Sequence, residues 1–315
     1  MAGLLQNELM KIFRRLGTKI MFILLISVII IVGLIFRFGV GGPEQAGEDS
    51  LHSMEMEITQ MQEEMESGNL SPQAAARLQE QQMLFDYYEE EQIEPIPDNH
   101  MWNLVIDNPQ LVSFVTMFSI IIGAGITAGE HSNGTIKLLL IRPVKRWKIL
   151  FSKWAATMIF ALSMLLTLIF TSILTGGLLN GFSLSPFQIV EIVDGSVREM
   201  NILSYVGTAY TLAFGELLIM TTLAFTLGTV FRNQSLAVGL SLVLLFTGSQ
   251  MVFLVSQYEW ANFILFAHSN LLQHFIGQPI LPDSTLAFSL VISILYFLLF
   301  KAAAYAVFIK RDVAD

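Results

Sequence analysis

Six stretches of this chain are apolar for about as long as a helix must be to cross a bilayer: Ile20–Phe36, Leu111–Thr127, Ala155–Leu174, Tyr205–Phe231, Leu236–Ser256 and Thr285–Ile309. A hydrocarbon core of ~30 Å takes roughly 17–25 helical residues. No water is available there to satisfy backbone N–H and C=O groups, so each spanning segment must close its own hydrogen bonds as a helix. The expected fold is therefore an all-α membrane protein with six transmembrane helices. Composition agrees: 54% of the residues are hydrophobic and 14% charged, a balance outside that of soluble domains. The first stretch, 20–36, could be read as a signal peptide. Its basic lead is long, its apolar run exceeds a usual h-region and no clear small-x-small site follows, so it is read as an anchor.

Charge sets the expected orientation. With both termini in the cytoplasm, the inner side carries Lys11, Arg14, Arg15, Lys19, Lys137, Arg142, Lys145, Arg146, Lys148, Lys153, Arg232, Lys310 and Arg311. The outer side keeps Arg37, Arg77 and Arg198. That asymmetry follows the positive-inside rule. The net charge of −9 comes mostly from the outer segment between Glu44 and Asp107, so it is no sign of a nucleic-acid or acidic partner. With no cysteine in the chain, disulfides and thiolate metal sites are excluded.

Residues 1–19 read as a cytoplasmic amphipathic helix. Leu5, Leu9, Ile12, Phe13, Leu16 and Ile20 recur at helical spacing opposite Gln6, Asn7, Lys11, Arg14, Arg15 and Lys19. A basic, snorkelling extension of the first span is the alternative. Residues 37–110 read as an extracellular acidic helical hairpin. Leu51, Met54, Ile58, Met61 and Met65 step by three and four, Gly68 breaks the run, and Ser71-Pro72 starts a second helix through Ala74, Leu78, Phe85 and Tyr88. The glutamates Glu55, Glu57, Glu63, Glu64 and Glu66 form either a solvated face or a specific cation or ligand site. Pro95-Ile96-Pro97 and Trp102 then lead to the second span and the rest of the bundle, 111–315. In that span Ser119, Gly123 and Thr127 are small residues at four-residue spacing, where another helix can approach closely, inside the bundle or at a subunit interface. The outer loops 176–204 and 257–284 leave room for short re-entrant or interfacial helices.

Between the second and third spans, residues 129–153 read as a cytoplasmic coupling segment. Asn133 and Gly134 punctuate the chain, Thr135 can cap, and Ile136, Leu139 and Leu140 place an apolar stripe on a short helix ended by Pro143. Such a helix suits a soluble partner's groove or the lipid headgroups. Here the chain resembles the ABC-2 type family of ABC transporter permeases. The resemblance rests on Glu130, Gly134, Thr135, Leu138, Leu139, Pro143, Val144 and Arg146, with Lys153 before the third span. Weaker matches are Glu8, Leu9, Lys11, Phe13 and Arg14 at the start and the end Phe308–Val313. The resemblance implies that this segment touches a cytoplasmic ABC ATPase. It also implies a second permease subunit, identical or not, and ATP and Mg2+ held by the ATPase with no cofactor on this chain.

The chain carries no catalytic centre of its own that the sequence reveals. No phosphate-cradling Gly-x-x-x-x-Gly-Lys-Ser/Thr run occurs, so ATP chemistry would belong to another polypeptide. No His-Glu-x-x-His occurs either, and His268 and His274 read as satisfied interfacial residues. The run Glu89-Glu90-Glu91 lies in the hairpin, away from any span. Two charges fall inside spans and mark a candidate transmembrane polar site: Glu216, which must be neutral, paired or facing water and is expected to face an internal cavity or subunit interface, and Lys301, which can instead snorkel.

The leading expectation is thus the membrane-spanning permease subunit of an ATP-driven exporter in the bacterial plasma membrane. Its substrate would be amphipathic, an antimicrobial peptide, lipid-like or an ion. Two other classes stay open: a sensor or scaffold whose hairpin binds a ligand and signals inward, and an ion-coupled secondary transporter, for which no internal repeat is visible.

Overall fold

The computed structural model describes residues 1–38, 50–67, 72–93, 95–97, 100–132, 144–183, 185, 188–193, 195–282 and 284–310. Helix α1 runs Ala2–Arg14 and α2 Leu16–Phe38. Then come α3 (Ser50–Glu66), α4 (Pro72–Glu91), α5 (Met101–Asp107) and, after a 3-10 turn at Asn108–Leu111, α6 (Val112–Ser132). Helix α7 spans Arg146–Asn180, strands β1 and β2 are Gln188–Val193 and Ser196–Asn201, and α8 and α9 are Ile202–Phe231 and Gln234–Val255. Two short helices, α10 (Leu265–His268) and α11 (Leu272–Phe275), precede α12, Leu286–Lys310.

Six of these helical stretches are long and apolar enough to cross a membrane: α2, Met101–Ser132, α7, α8, α9 and α12. The chain is a multi-pass membrane protein by that measure. The spans outrun their apolar stretches; α7 begins at Arg146, well before Ala155. Apolarity marks only the part facing hydrocarbon, whereas the i to i−4 hydrogen bonds continue into polar surroundings.

The strictly all-α expectation is corrected at residues 188–201, which form an antiparallel β-hairpin with Gln188 opposite Asn201 and Val193 opposite Ser196. The signal was present in the sequence. Ile-Val-Glu-Ile-Val and Val-Arg-Glu-Met flank Asp194-Gly195, and Gly195 has φ +73°, the left-handed conformation that two-residue hairpin turns require.

The chain divides into two compact units. One comprises Ile29–Asn108 and Thr171–Ala209. In it α3 packs on α4, burying Ile58, Leu78 and Tyr88. The α4 helix also meets the β-hairpin: the Tyr87 hydroxyl donates to Glu199 at 3.1 Å, and Arg198 pairs with its cross-strand neighbour Glu191 at 2.9 Å. Trp102 is buried in this unit, and Asn108 donates to Ser172 at 2.6 Å. The other unit comprises Met1–Val28, Pro109–Phe170 and Tyr210–Asp315. Its core forms around Ile120, Ala124, Met220, Leu223, Ala224 and Ala237, from α6, α8 and α9. Helix α1 is a separate helix: Arg15 is extended at φ −67°, ψ 135°, and the Thr18 hydroxyl donates back to the Ile12 carbonyl at 2.6 Å.

Candidate functional site

The densest charged site among the described residues joins α1, the end of α6 and the first turns of α7. Lys153 is fully buried, at 0% exposure, and Glu8 is at 4%. The Lys153 Nζ lies 2.7 Å from Glu130 Oε1 and 3.1 Å from Glu8 Oε2, with the Ile126 carbonyl at 3.5 Å. Lys11 closes the ring from α1, 3.0 Å from Glu8 Oε1 and 3.1 Å from Glu130 Oε1. Among the described residues two carboxylates thus meet two ammonium groups, so these four charges balance. Burial alone would lower the Lys11 pKa, but the two carboxylates outweigh it and hold the value above normal.

The sequence puts these groups together through helical periodicity. Glu8, Ile12 and the half-exposed Lys11 share one face of α1, and the rings of Phe13, Phe22 and Phe160 meet at 6.0–6.2 Å, fixing α1 against α2 and α7. An isolated buried ion would cost several kcal/mol, about as much as the desolvation penalty of each partner. The ring is tolerable because every charge has an opposite one within hydrogen-bond reach. Its four members come from positions separated by as much as 145 residues, Glu8 to Lys153. Sequence reading named Glu8, Lys11, Glu130 and Lys153 separately and gave no reason to connect them.

Of the other sequence-predicted site residues, Val144 is half-buried just before α7, and Arg146 donates to the Ile309 carbonyl at 3.2 Å. Gly134, Thr135, Leu138, Leu139 and Pro143 lie outside the described residues. Ser119, Gly123 and Thr127 all face the interior. A Cβ on Gly123 would sit 3.2 Å from the Thr221 carbonyl and 3.3 Å from Thr157, and Thr229 donates to Thr127 at 3.2 Å. Helices α6 and α8 come closest at Gly228, where a Cβ would collide with the Ala124 carbonyl. This stripe is therefore covered by α7 and α8 of the same chain.

Glu216 lies half-buried in α8 with no hydrogen-bond or ion-pair partner among the described residues. Lys301 is different again. Its Nζ is buried without a hydrogen-bond acceptor and sits 3.4 Å from the centroid of Trp154, with Tyr305 at 5.3 Å and Phe151 at 5.5 Å. The Trp154 ring is itself oriented, its indole N–H donating to Thr222 at 3.2 Å.

The two histidines converge on one hydroxyl. His268 Nδ1 is 2.8 Å and His274 Nε2 2.7 Å from Ser289 Oγ, while His268 Nε2 is 2.8 Å from the Asn262 carbonyl. The carbonyl can only accept, so a neutral His268 carries its proton on Nε2 and takes the serine proton at Nδ1, leaving Ser289 to accept from His274. Burial lowers both pKa values, with His268 adding to the effect at His274. No group of three or more metal-binding side chains exists among the described residues.

A family profile, "Protein of unknown function (DUF2705)", matches residues 72–314. The chain belongs to this family. It is 35% identical over 321 residues to "Uncharacterized protein YhcI" of Bacillus subtilis (strain 168), covering the whole of both chains. It is 30% identical over 208 residues to "Uncharacterized membrane protein YdbK" of the same organism, covering 65% of this chain and 80% of that one. These matches correct the resemblance drawn from residues 130–146: the profile that fits is DUF2705, and the ABC-2 type family does not match. The reason lies in the motif. It comprises few positions, filled by leucine, glycine, proline and basic residues that any membrane-proximal loop favours, and most lie in one short stretch.

Proposed function

We propose that this chain is the membrane-spanning permease subunit of an ATP-driven exporter in a bacterial plasma membrane, driven by a separate ATPase and working beside a second permease subunit. The observation that carries the reading is the four-charge ring of Glu8, Lys11, Glu130 and Lys153. Glu130 stands two residues before the end of α6 at Ser132, and Lys153 stands in the first turns of α7, so the ring brackets residues 133–143. A force applied to that segment by a soluble partner reaches α1, α6 and α7 together through charges that cannot separate cheaply. A partner that binds one arrangement of these helices better than another shifts the population toward it, which is all that coupling requires. The basic residues flanking the ring support a cytoplasmic position for this end and for both termini under the positive-inside rule. The relative described as a membrane protein supports the location.

Reconstitution tests the reading. The full chain is purified from its native membrane and examined for an associated nucleotide-hydrolysing subunit, and the pair is placed in proteoliposomes. ATP-dependent export is expected, and Glu130→Gln should reduce it while leaving partner binding in place. A chain that copurifies with no ATPase, and whose membranes show no ATP-dependent flux, would refute the proposal.

A sensor or scaffold is the second reading, favoured by the self-contained packing of α3, α4 and the β-hairpin. Deleting residues 50–93 separates the two: a permease keeps basal ATP-driven flux, and a sensor loses its response to ligand.

A further inference from the structure

Lys301 leaves a chemical need unmet. Its buried ammonium carries three N–H donors with no acceptor, and three aromatic rings lie within 5.5 Å of it. Cation–π attraction offsets part of the desolvation cost but satisfies none of those donors. The Tyr305 ring lies 5.3 Å from the same ammonium. No carboxylate pairs with Lys301 among the described residues, and the neighbouring charges on the two helices are all positive: Lys145, Arg146 and Lys148 around the start of α7 and Lys310 at the end of α12. What this cluster lacks is an anion.

Its depth says which kind. Trp154 follows Lys153 directly, so its contact with Lys301 lies within ~1.5 Å along α7 of the four-charge ring, on another face of the helix. Glu8 of α1 reaches that same level. An amphipathic helix such as α1 lies at the boundary between headgroups and acyl chains. Helix α7 has 35 residues and so measures about 52 Å, far more than the ~30 Å hydrocarbon core, which leaves its first turns beyond the core. The exposed Trp147 and Phe151 fit that zone, where aromatic side chains concentrate.

We infer that Lys301, Trp154, Phe151 and Tyr305 form a binding site for the phosphate of an anionic phospholipid, entered from the bilayer between the start of α7 and the end of α12. The Lys301 ammonium and the Tyr305 hydroxyl bind the phosphate, the rings line the site, and Lys148 and Lys310 attract anionic lipid to it. The site does not depend on the transport reading; it requires only that α1 lie in the interface.

Native mass spectrometry of the full chain tests it, with phosphatidylglycerol and phosphatidylcholine of identical acyl chains competing for the protein. One phosphatidylglycerol should be retained preferentially, and Lys301→Met should lower that preference about fivefold, the order expected for one cation near a lipid phosphate. Arg14→Gln, which removes an exposed cation of α1, should leave it unchanged. If Lys301→Met does not fold, Tyr305→Phe keeps the ring and removes one donor, and a preference lower than that of the wild type is then expected. A preference that survives both substitutions, or that falls equally with Arg14→Gln, overturns the site. Inorganic phosphate at tens of millimolar separates the two sources of the anion: lipid that stays bound identifies a headgroup site, and lipid fully displaced assigns the site to a free anion and overturns the lipid assignment.

Discussion

Two neighbouring residues of α7 show two ways to hold a buried cation. Lys153 is enclosed by two carboxylates and a carbonyl, and Trp154, one position on, offers its face to Lys301 from α12. The first arrangement sets each charge against an opposite one. The second leaves a positive charge with its donors unspent. Paired charges are suited to holding helices together, whereas a buried cation with unmet donors is suited to taking a ligand.

The comparison can be broken most sharply at Lys153. Lys153→Met removes the buried cation shared by Glu8 and Glu130, and stability measured by thermal unfolding in detergent should fall by about 3–5 kcal/mol, the cost of stripping one partner from a buried pair. A loss below ~1 kcal/mol would mean that water already reaches the ring. Glu8→Gln combined with Lys153→Met should be less harmful than the sum of the two single changes, because the pair is coupled. Thr222→Val, which removes the acceptor of the Trp154 indole, should cost about 1–3 kcal/mol by leaving that donor unpaired. Lys301→Met is expected to change stability least of the charge substitutions, by no more than about 1–2 kcal/mol, because the lost cation–π attraction is offset by the removal of unmet donors. A loss as large as that of Lys153→Met would show that the two cations are held alike.

The smallest effect concerns the histidines, a third arrangement with no net charge at all. His268 and His274 have folded pKa values below the ordinary 6.5, so their contribution to stability is complete above that value. As pH falls below 6.5 the unfolded chain takes up protons that the folded one refuses, and the contribution is lost progressively down to the folded values. The unfolding temperature should therefore drop on acidification from pH 7 toward pH 5, and His268→Asn should flatten that dependence.

Much of the bundle was legible in the sequence, since apolar stretches near 20–36, 155–174 and 285–309 report directly on the solvent each helix must face. The β-hairpin was legible too, in Asp194-Gly195 between alternating strands, but the surrounding membrane-helix pattern obscured it. The small-residue stripe 119–127 announced a close helix contact without naming its partner, because spacing describes one helix surface and says nothing of which helix covers it. Family membership was misread for a related reason: the residues at 130–146 answer to a loop's chemistry, which unrelated chains share.

What the sequence determined by itself was which segments suit lipid: six helices long and apolar enough to cross a membrane. That follows from local physics, since transfer costs and hydrogen-bond closure are paid residue by residue. Which charges meet was decided only by tertiary structure. Glu8, Glu130 and Lys153 become part of one ring, and Lys301 finds rings in place of a carboxylate, because pairing depends on distances across helices that no local pattern encodes.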